Sequence, residues 1–150
     1  MYIPSQGGLS VTNQEKKAQL NKYREAEAEA VRLEGEISRW RSKAEKVTTA
    51  VKMIPGGPGG GNRVEEAVME IDELTEQLVE RRLETVRLRR ELEDAIAAVE
   101  DWKLRQLLRY RYVDGMKWER IRDALGLLDL RWVYRLHGQA LSLLTIESHV

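Results

Sequence analysis

Residues 53–62, MIPGGPGGGN, decide how the rest of the chain is read. Proline lacks an amide donor and fixes φ, and the five glycines here remove backbone restraint, so no helix is expected to run through this stretch. On its N-terminal side, residues 13–49 contain no proline and are rich in Ala, Glu, Lys and Arg. Tyr23, Ala26, Ala30, Leu33, Ile37, Trp40, Ala44, Val47 and Val51 recur there by threes and fours, which predicts one long helix with a single apolar seam. On the C-terminal side, Asn62 followed by Glu65 fits an N-cap with a reciprocal acceptor and predicts a second helix from Arg63 to about Val99. Its seam reads Val64, Ala67, Ile71, Leu74, Leu78, Leu88, Leu92, Ala95 and Val99. The seam weakens at Arg81 and Thr85, where Val79, Leu83 and Val86 take over another face.

Each helix is about 50 Å long at roughly 1.5 Å per residue. Matched lengths and a short link predict an antiparallel hairpin in which each helix covers the other's stripe. The glycine run is read as its loop. A phosphate-cradling loop needs a preceding strand and a closing Lys-Ser/Thr, whereas these glycines follow a helix and end in Asn62–Arg63.

The last third differs. Asp101 caps a helix expected over Trp102 to Tyr112, with Leu104, Leu107, Leu108 and Tyr112 inward, and Asp114–Gly115 marks a turn. A short helix from about Lys117 to Leu125 turns Ile121, Ala124 and Leu125 inward and ends at Gly126. Asp129 then caps a final helix from Leu130 to about Leu144, with Val133, Leu136, Ala140 and Leu143 or Leu144 as its buried stripe. The expected architecture is all-α: a tail over 1–12, a helical hairpin over 13–99 with its loop at 53–62, and a three-helix, helix-turn-helix module over 101–150.

Composition narrows the chemistry. The chain has 150 residues, no Cys, and 25 Lys+Arg against 25 Asp+Glu. Without cysteine there is no disulfide framework, thiolate nucleophile or cysteine-ligated metal, so a reducing, cytoplasmic setting is expected. No apolar run approaches the roughly 20 residues that span a bilayer, and the start lacks a secretion signal, so no membrane partner is expected. The neutral total conceals an asymmetry: residues 101–150 carry 9 basic against 6 acidic residues, which leaves 16 against 19 for residues 1–100. A mildly basic final third favours a polyanion for that third. The acidic residues of the second helix fall mainly on polar faces, and no set of groups converges for acid–base or nucleophilic work. Neither enzymatic activity nor a cofactor or metal is expected.

Two short helices around a glycine form the pattern in which the first braces the second, so that its N-terminal turns enter a major groove about 12 Å wide. With Val133 and Leu136 inward, Arg131, Trp132, Tyr134, Arg135 and His137 fall outward or at the margins. Together with Gln139 they are the candidate DNA-binding residues. Arginine suits guanine edges and phosphates, and Trp132 or Tyr134 suits sugar, phosphate or a thymine methyl group.

The segment LLRYRYVDGMKWERIRDALGLLDLRWVYRLHGQAL resembles region 4 of sigma-70-type factors: a helix ending in Tyr–x–Asp–Gly, a short helix ending in Leu-Gly, and a recognition helix closing on Ala-Leu. The whole chain resembles phage-encoded, sigma-region-4-like regulators through its helical N-terminal half, its Gly-rich break, Trp118, Glu119, Ile121 and the run Val133 to Leu141. Two departures stand out. Arg122 occupies the position after Ile121 where that family places a small residue, and one extra residue lies between Gly126 and Val133.

The resemblance implies a sequence-specific transcription regulator of phage or prophage origin in a bacterial host. Its partners would be double-stranded DNA, RNA polymerase and a second copy of the chain; the second stripe of Val79, Leu83 and Val86 offers a face for association, or equally one that packs against the C-terminal module. Two other readings stay open: a packaging protein similar to a phage terminase small subunit, and a coiled-coil adaptor that binds polymerase without touching DNA.

Overall fold

The computed structural model describes residues 11–53 and 61–146, and all its regular structure is helical. Helices α1 (Asn13–Met53) and α2 (Gly61–Ala97) form a long hairpin, followed by α3 (Trp102–Leu108), α4 (Trp118–Ala124) and α5 (Leu130–Leu143). The residues expected to form the loop lie outside the described ones from 54 to 60, as do the tail at 1–10 and the last four residues.

Thr12 starts α1. Its hydroxyl accepts from the Glu15 amide at 3.1 Å and the Glu15 carboxylate accepts from the Thr12 amide at 3.4 Å, so Thr12 and Glu15 satisfy two orphan donors reciprocally. The second helix starts earlier than expected. It includes Gly61, which places Asn62 inside the first turn rather than at a cap.

Packing divides into two compact units, one of residues 11–25 with 86–146 and the other Ala26–Thr85. In the second unit the expected seam is buried: Leu33, Ile37 and Leu74 form its core, with Trp40, Ile71 and Leu78 against it. Ala26, Ala30 and Ala67 are buried too, small side chains that let helix backbones approach. Arg82 binds Glu27 at 3.0 Å and also holds Glu34, while Thr85 is buried on the seam with its hydroxyl bonded to the Arg81 and Arg82 carbonyls at 2.8 Å. Thr85 therefore continues the seam at low polar cost, and the apolar residues beside it remain outside. Val79 is 53%, Leu83 68% and Val86 58% exposed.

In the first unit Leu20, Leu92, Ile96 and Val99 pack with Leu104, Leu108 and Tyr112 of the third helical segment and with Ala140, Leu141 and Leu144. Asp101 caps α3 as expected, accepting from the Lys103 and Leu104 amides at 2.9 and 3.2 Å. The segment then widens into a π turn over Arg109–Val113, closed by the Asp114 amide on the Arg109 carbonyl at 2.9 Å. Gly115 follows with φ of 69°, a backbone conformation that favours glycine, and the guanidinium end of Arg24 lies over it, 2.0 Å from where a Cβ would stand.

A second cluster, Leu107, Ile121 and Val133, joins α3, α4 and α5. Helix α4 ends in a Schellman arrangement: the Leu127 amide donates to the Arg122 carbonyl at 2.9 Å, the Gly126 amide donates to Asp123 at 3.1 Å, and Gly126 is left-handed with φ of 69°. Ala124, expected inward, is exposed, whereas Ile121 is buried in the cluster and Trp118 and Leu125 pack against it. At the far end of α5 it is Leu144 that is buried, while Leu143 is 60% exposed.

Candidate nucleic-acid interface

Asp129 begins α5 by accepting the Trp132 amide at 3.3 Å, and the Lys16 ammonium ends it by donating to the Leu141 carbonyl at 2.6 Å. Between these ends, Val133, His137, Ala140 and Leu141 are buried, so one side of the helix is anchored in the core. At 100° per residue the opposite arc holds Arg131, Arg135, Gln139 and Ser142, with Trp132 toward one margin and Tyr134 and the half-buried Gly138 toward the other.

Five of the six candidate residues are exposed: Arg131, Trp132, Tyr134, Arg135 and Gln139. The Arg131 side chain is 90% exposed and touches Asp129 at 3.4 Å. Arg135 places its guanidinium 5.0 Å from the centre of the Trp132 ring, a cation–π contact that leaves the positive charge uncompensated. No acidic residue occurs from Leu130 to Ile146.

The sixth candidate is corrected. His137 is only 6% exposed, because its position four after Val133 and three before Ala140 turns it into the core. Its Nε2 lies 2.6 Å from the Tyr112 hydroxyl, which satisfies both polar groups in an otherwise apolar setting. Burial, followed by the nearby charges of Lys17 and Arg111, pushes His137 down to about 4, and burial pushes the Tyr112 hydroxyl up to about 12. Both are neutral at pH 7, so His137 belongs to the support of the helix rather than to its outer face.

Trp118 links this support to the surface. Its ring meets His137 edge-on at 4.8 Å and Tyr134 edge-on at 5.5 Å, and Arg111 lies 4.1 Å over it. Arg111 also donates to the Met116 carbonyl at 3.1 Å, which ties the turn before α4 to the aromatic group. Sequence spacing did not single out Arg111, since its role depends on a tryptophan seven residues away across a π turn and a loop. The connection between α4 and α5 leaves Leu128 93% exposed, and Asp129 directly after it caps α5.

Chemically, this arrangement is a rigid cationic and aromatic surface suited to phosphate, sugar and base contacts. Among the described residues no helix is long and apolar enough to cross a membrane. No curated protein matches the chain, and no solved structure matches it. Residues 46–145 match the family described as "Protein of unknown function (DUF1492)", and the chain belongs to that family.

Proposed function

We propose that the protein is a non-enzymatic, sequence-specific DNA-binding regulator of the phage type that reads duplex DNA with α5. The observation that carries this reading is the arc itself. Arg131, Tyr134 and Arg135 share the exposed side of a helix anchored on its other side by Val133, His137, Ala140 and Leu141, with no carboxylate on the helix between its ends. Arg131 and Arg135 supply phosphate or guanine contacts, Trp132 and Tyr134 supply stacking or sugar contacts, and Gln139 lies between Arg135 and Trp132 on the same face. The fold supports the division of labour, because the contact-making residues are not needed for the core.

One such helix gives a small interface, so a second copy is part of the proposal. The exposed Val79, Leu83 and Val86 supply the apolar face through which two chains associate, with RNA polymerase as a further partner.

The test is the double change Arg131→Ala with Arg135→Ala, assayed by titration against the DNA upstream of the coding sequence at two salt concentrations. Loss of roughly 1–3 kcal/mol per arginine, with a shallower salt dependence, is the expected outcome. Unaltered affinity at both concentrations rejects direct contact by α5. Stimulation of a large ATPase by a multi-subunit ring of the protein would point to packaging instead.

A further inference from the structure

Cations without carboxylate partners also collect beside α5. Lys17 and Arg24 lie seven residues apart on α1, so both side chains leave that helix on the same face. The guanidinium end of Arg24 lies over Gly115, 2.0 Å from where a Cβ would stand. Arg111 donates to the carbonyl of the next residue, Met116, at 3.1 Å and lies 4.1 Å over the Trp118 ring. Lys17 approaches the same place: after burial, its charge and that of Arg111 hold His137 down, and His137 meets Trp118 edge-on at 4.8 Å. Three positive side chains from two elements therefore surround one turn, all within the compact unit that contains α5.

None of the three forms an ion pair among the described residues, and the turn's own carboxylate, Asp114, is exposed and pairs with none of them. A carbonyl oxygen and an indole face hold Arg111 without cancelling its charge. Arg24 is exposed, Lys17 and Arg111 are half-buried, and none belongs to either apolar cluster of the unit. Like charges gathered at one turn repel one another, and an anion among them turns that repulsion into attraction.

The place of the turn selects the anion. Trp118 carries Arg111 on its face and meets Tyr134 at its edge, 5.5 Å away, and Tyr134 stands at one margin of the exposed side of α5. A helix with its side chains is about 10–12 Å across and fills a major groove about 12 Å wide. Groups standing beside such a helix, one ring beyond its margin, therefore face the groove wall, which is sugar and phosphate.

Resting on the DNA-binding reading of α5, we propose that Lys17 and Arg24 of α1, with Arg111, form a phosphodiester-binding site that grips the DNA backbone at the edge of the groove entered by α5. The first turns of α1 thereby belong to the DNA-binding surface. The contact supplies affinity and register but no sequence information, because phosphates are alike at every base pair. Arg111 also braces the turn through Met116 and Trp118, so Lys17 and Arg24 are the members whose removal reads the site.

The experiment titrates the full chain against a duplex enriched by it from a random-sequence pool and against a scrambled duplex of equal length, over a series of salt concentrations. Arg24→Gln is expected to weaken both by the same factor, roughly threefold to tenfold, and to make the slope of log K against log salt shallower by about 1; adding Lys17→Gln makes it shallower still. Arg24→Lys, which keeps a point charge for the phosphate, recovers most of the slope. Lys22→Gln is the control: it removes the same charge from the opposite side of α1 and should leave the slope nearly as it was. Wild-type affinity and slope in the Lys17, Arg24 double variant overturn the proposal. So does a loss confined to the enriched duplex, and so does an equal loss in Lys22→Gln, which assigns the effect to net charge. A loss that tracks a lowered thermal midpoint and that Arg24→Lys does not restore also overturns it, because the side chain would then serve the fold. If Arg131→Ala with Arg135→Ala keeps full affinity, the reading of α5 fails, whereas its loss of binding beside an unaffected Lys17, Arg24 variant removes only the phosphate site.

Discussion

Arginine appears in the hairpin and in α5, and Arg82 of the hairpin and Arg135 of α5 stand in contrasting surroundings. In α1 and α2 five arginines pair with carboxylates of the same hairpin, Arg32 with Glu29 and Glu36, Arg82 with Glu27 and Glu34, Arg81 with Glu84, Arg87 with Glu91 and Arg89 with Glu93, whereas Arg24, Arg39, Arg41, Arg63 and Arg90 have no ion pair among the described residues. Hydrogen bonds that Arg82 donates to Glu34 and Glu27 hold its guanidinium even more firmly in its charged form. In α5, Arg131 has one aspartate at 3.4 Å, and Arg135 has no ion pair among the described residues and rests over an indole ring. An arginine between two glutamates contributes little field beyond its neighbours. An arginine over tryptophan keeps its whole charge, because the ring quadrupole attracts the cation without cancelling it. The paired hairpin arginines are thus matched within their own hairpin, whereas Arg135 of α5 keeps its charge open to an anion.

The largest test of that contrast sets the Arg131→Ala, Arg135→Ala pair against Arg81→Ala with Arg87→Ala, which removes the same formal charge from α2. The first pair is expected to lose roughly tenfold or more in DNA affinity for each side chain, whereas the α2 pair should change it less than twofold near physiological salt. Equal losses would mean that overall charge, and not the α5 surface, governs binding.

Apolar exposure gives a second contrast. Leu83 is 68% exposed in α2, on the side of the helix away from the buried seam. If two copies bury it, each contributes about 1.5 kcal/mol, so Leu83→Glu should weaken self-association by roughly a hundredfold or more. Sedimentation equilibrium across a concentration series measures this, and an unchanged dissociation constant assigns the face to something other than a second copy.

The buried side of α5 supplies a pH-dependent effect. His137 is held down to about 4 by burial and by Lys17 and Arg111, whereas the unfolded chain takes up the proton near 6.5. The folded state binds fewer protons between these values. The stability tied to the neutral imidazole is therefore complete above about 6.5 and falls with acidification toward 4, by about 2 kcal/mol between pH 7 and pH 5. Urea midpoints across that range measure the loss. His137→Gln should flatten the curve there, since glutamine does not titrate.

The hairpin was legible because its signals are local and repetitive. Threes-and-fours spacing placed Ala26, Ala30, Leu33, Ile37, Ala67 and Leu74 in the buried seam, and the same spacing extends to Leu20 and Ile96. Thr85 was lost from that pattern because its polarity masked its position, although its hydroxyl bonds within its own helix. Five of the outer residues of α5 follow directly from turning Val133 inward. His137 was misplaced for the same reason as Thr85: residue type outweighed register, and its partner Tyr112 lies 25 positions away in another element. Capping by Lys16 and the close fit of Arg24 over Gly115 had no sequence signal, since each joins α1 to a distant backbone atom. Whatever depended on period was readable, and whatever depended on a single long-range pair was not.

The smallest expected effect tests whether the ion pairs of Arg82 also stabilise the hairpin. Arg82 carries two carboxylate partners, yet its side chain is 37% exposed and those of Glu27 and Glu34 are 38% and 48% exposed. Water screens such pairs, and holding three long side chains in one arrangement costs rotamer entropy, so the network is worth about 0.5 kcal/mol. Arg82→Ala should lower the stability by about that much, with no effect on DNA affinity. Arg82→Met, which keeps the aliphatic stem near the seam, should recover part of the loss. A cost of several kcal/mol in Arg82→Ala would require the arginine to be far better shielded from solvent than its exposure allows, and the hairpin charges would then have to be treated as structural determinants instead of neutralising neighbours.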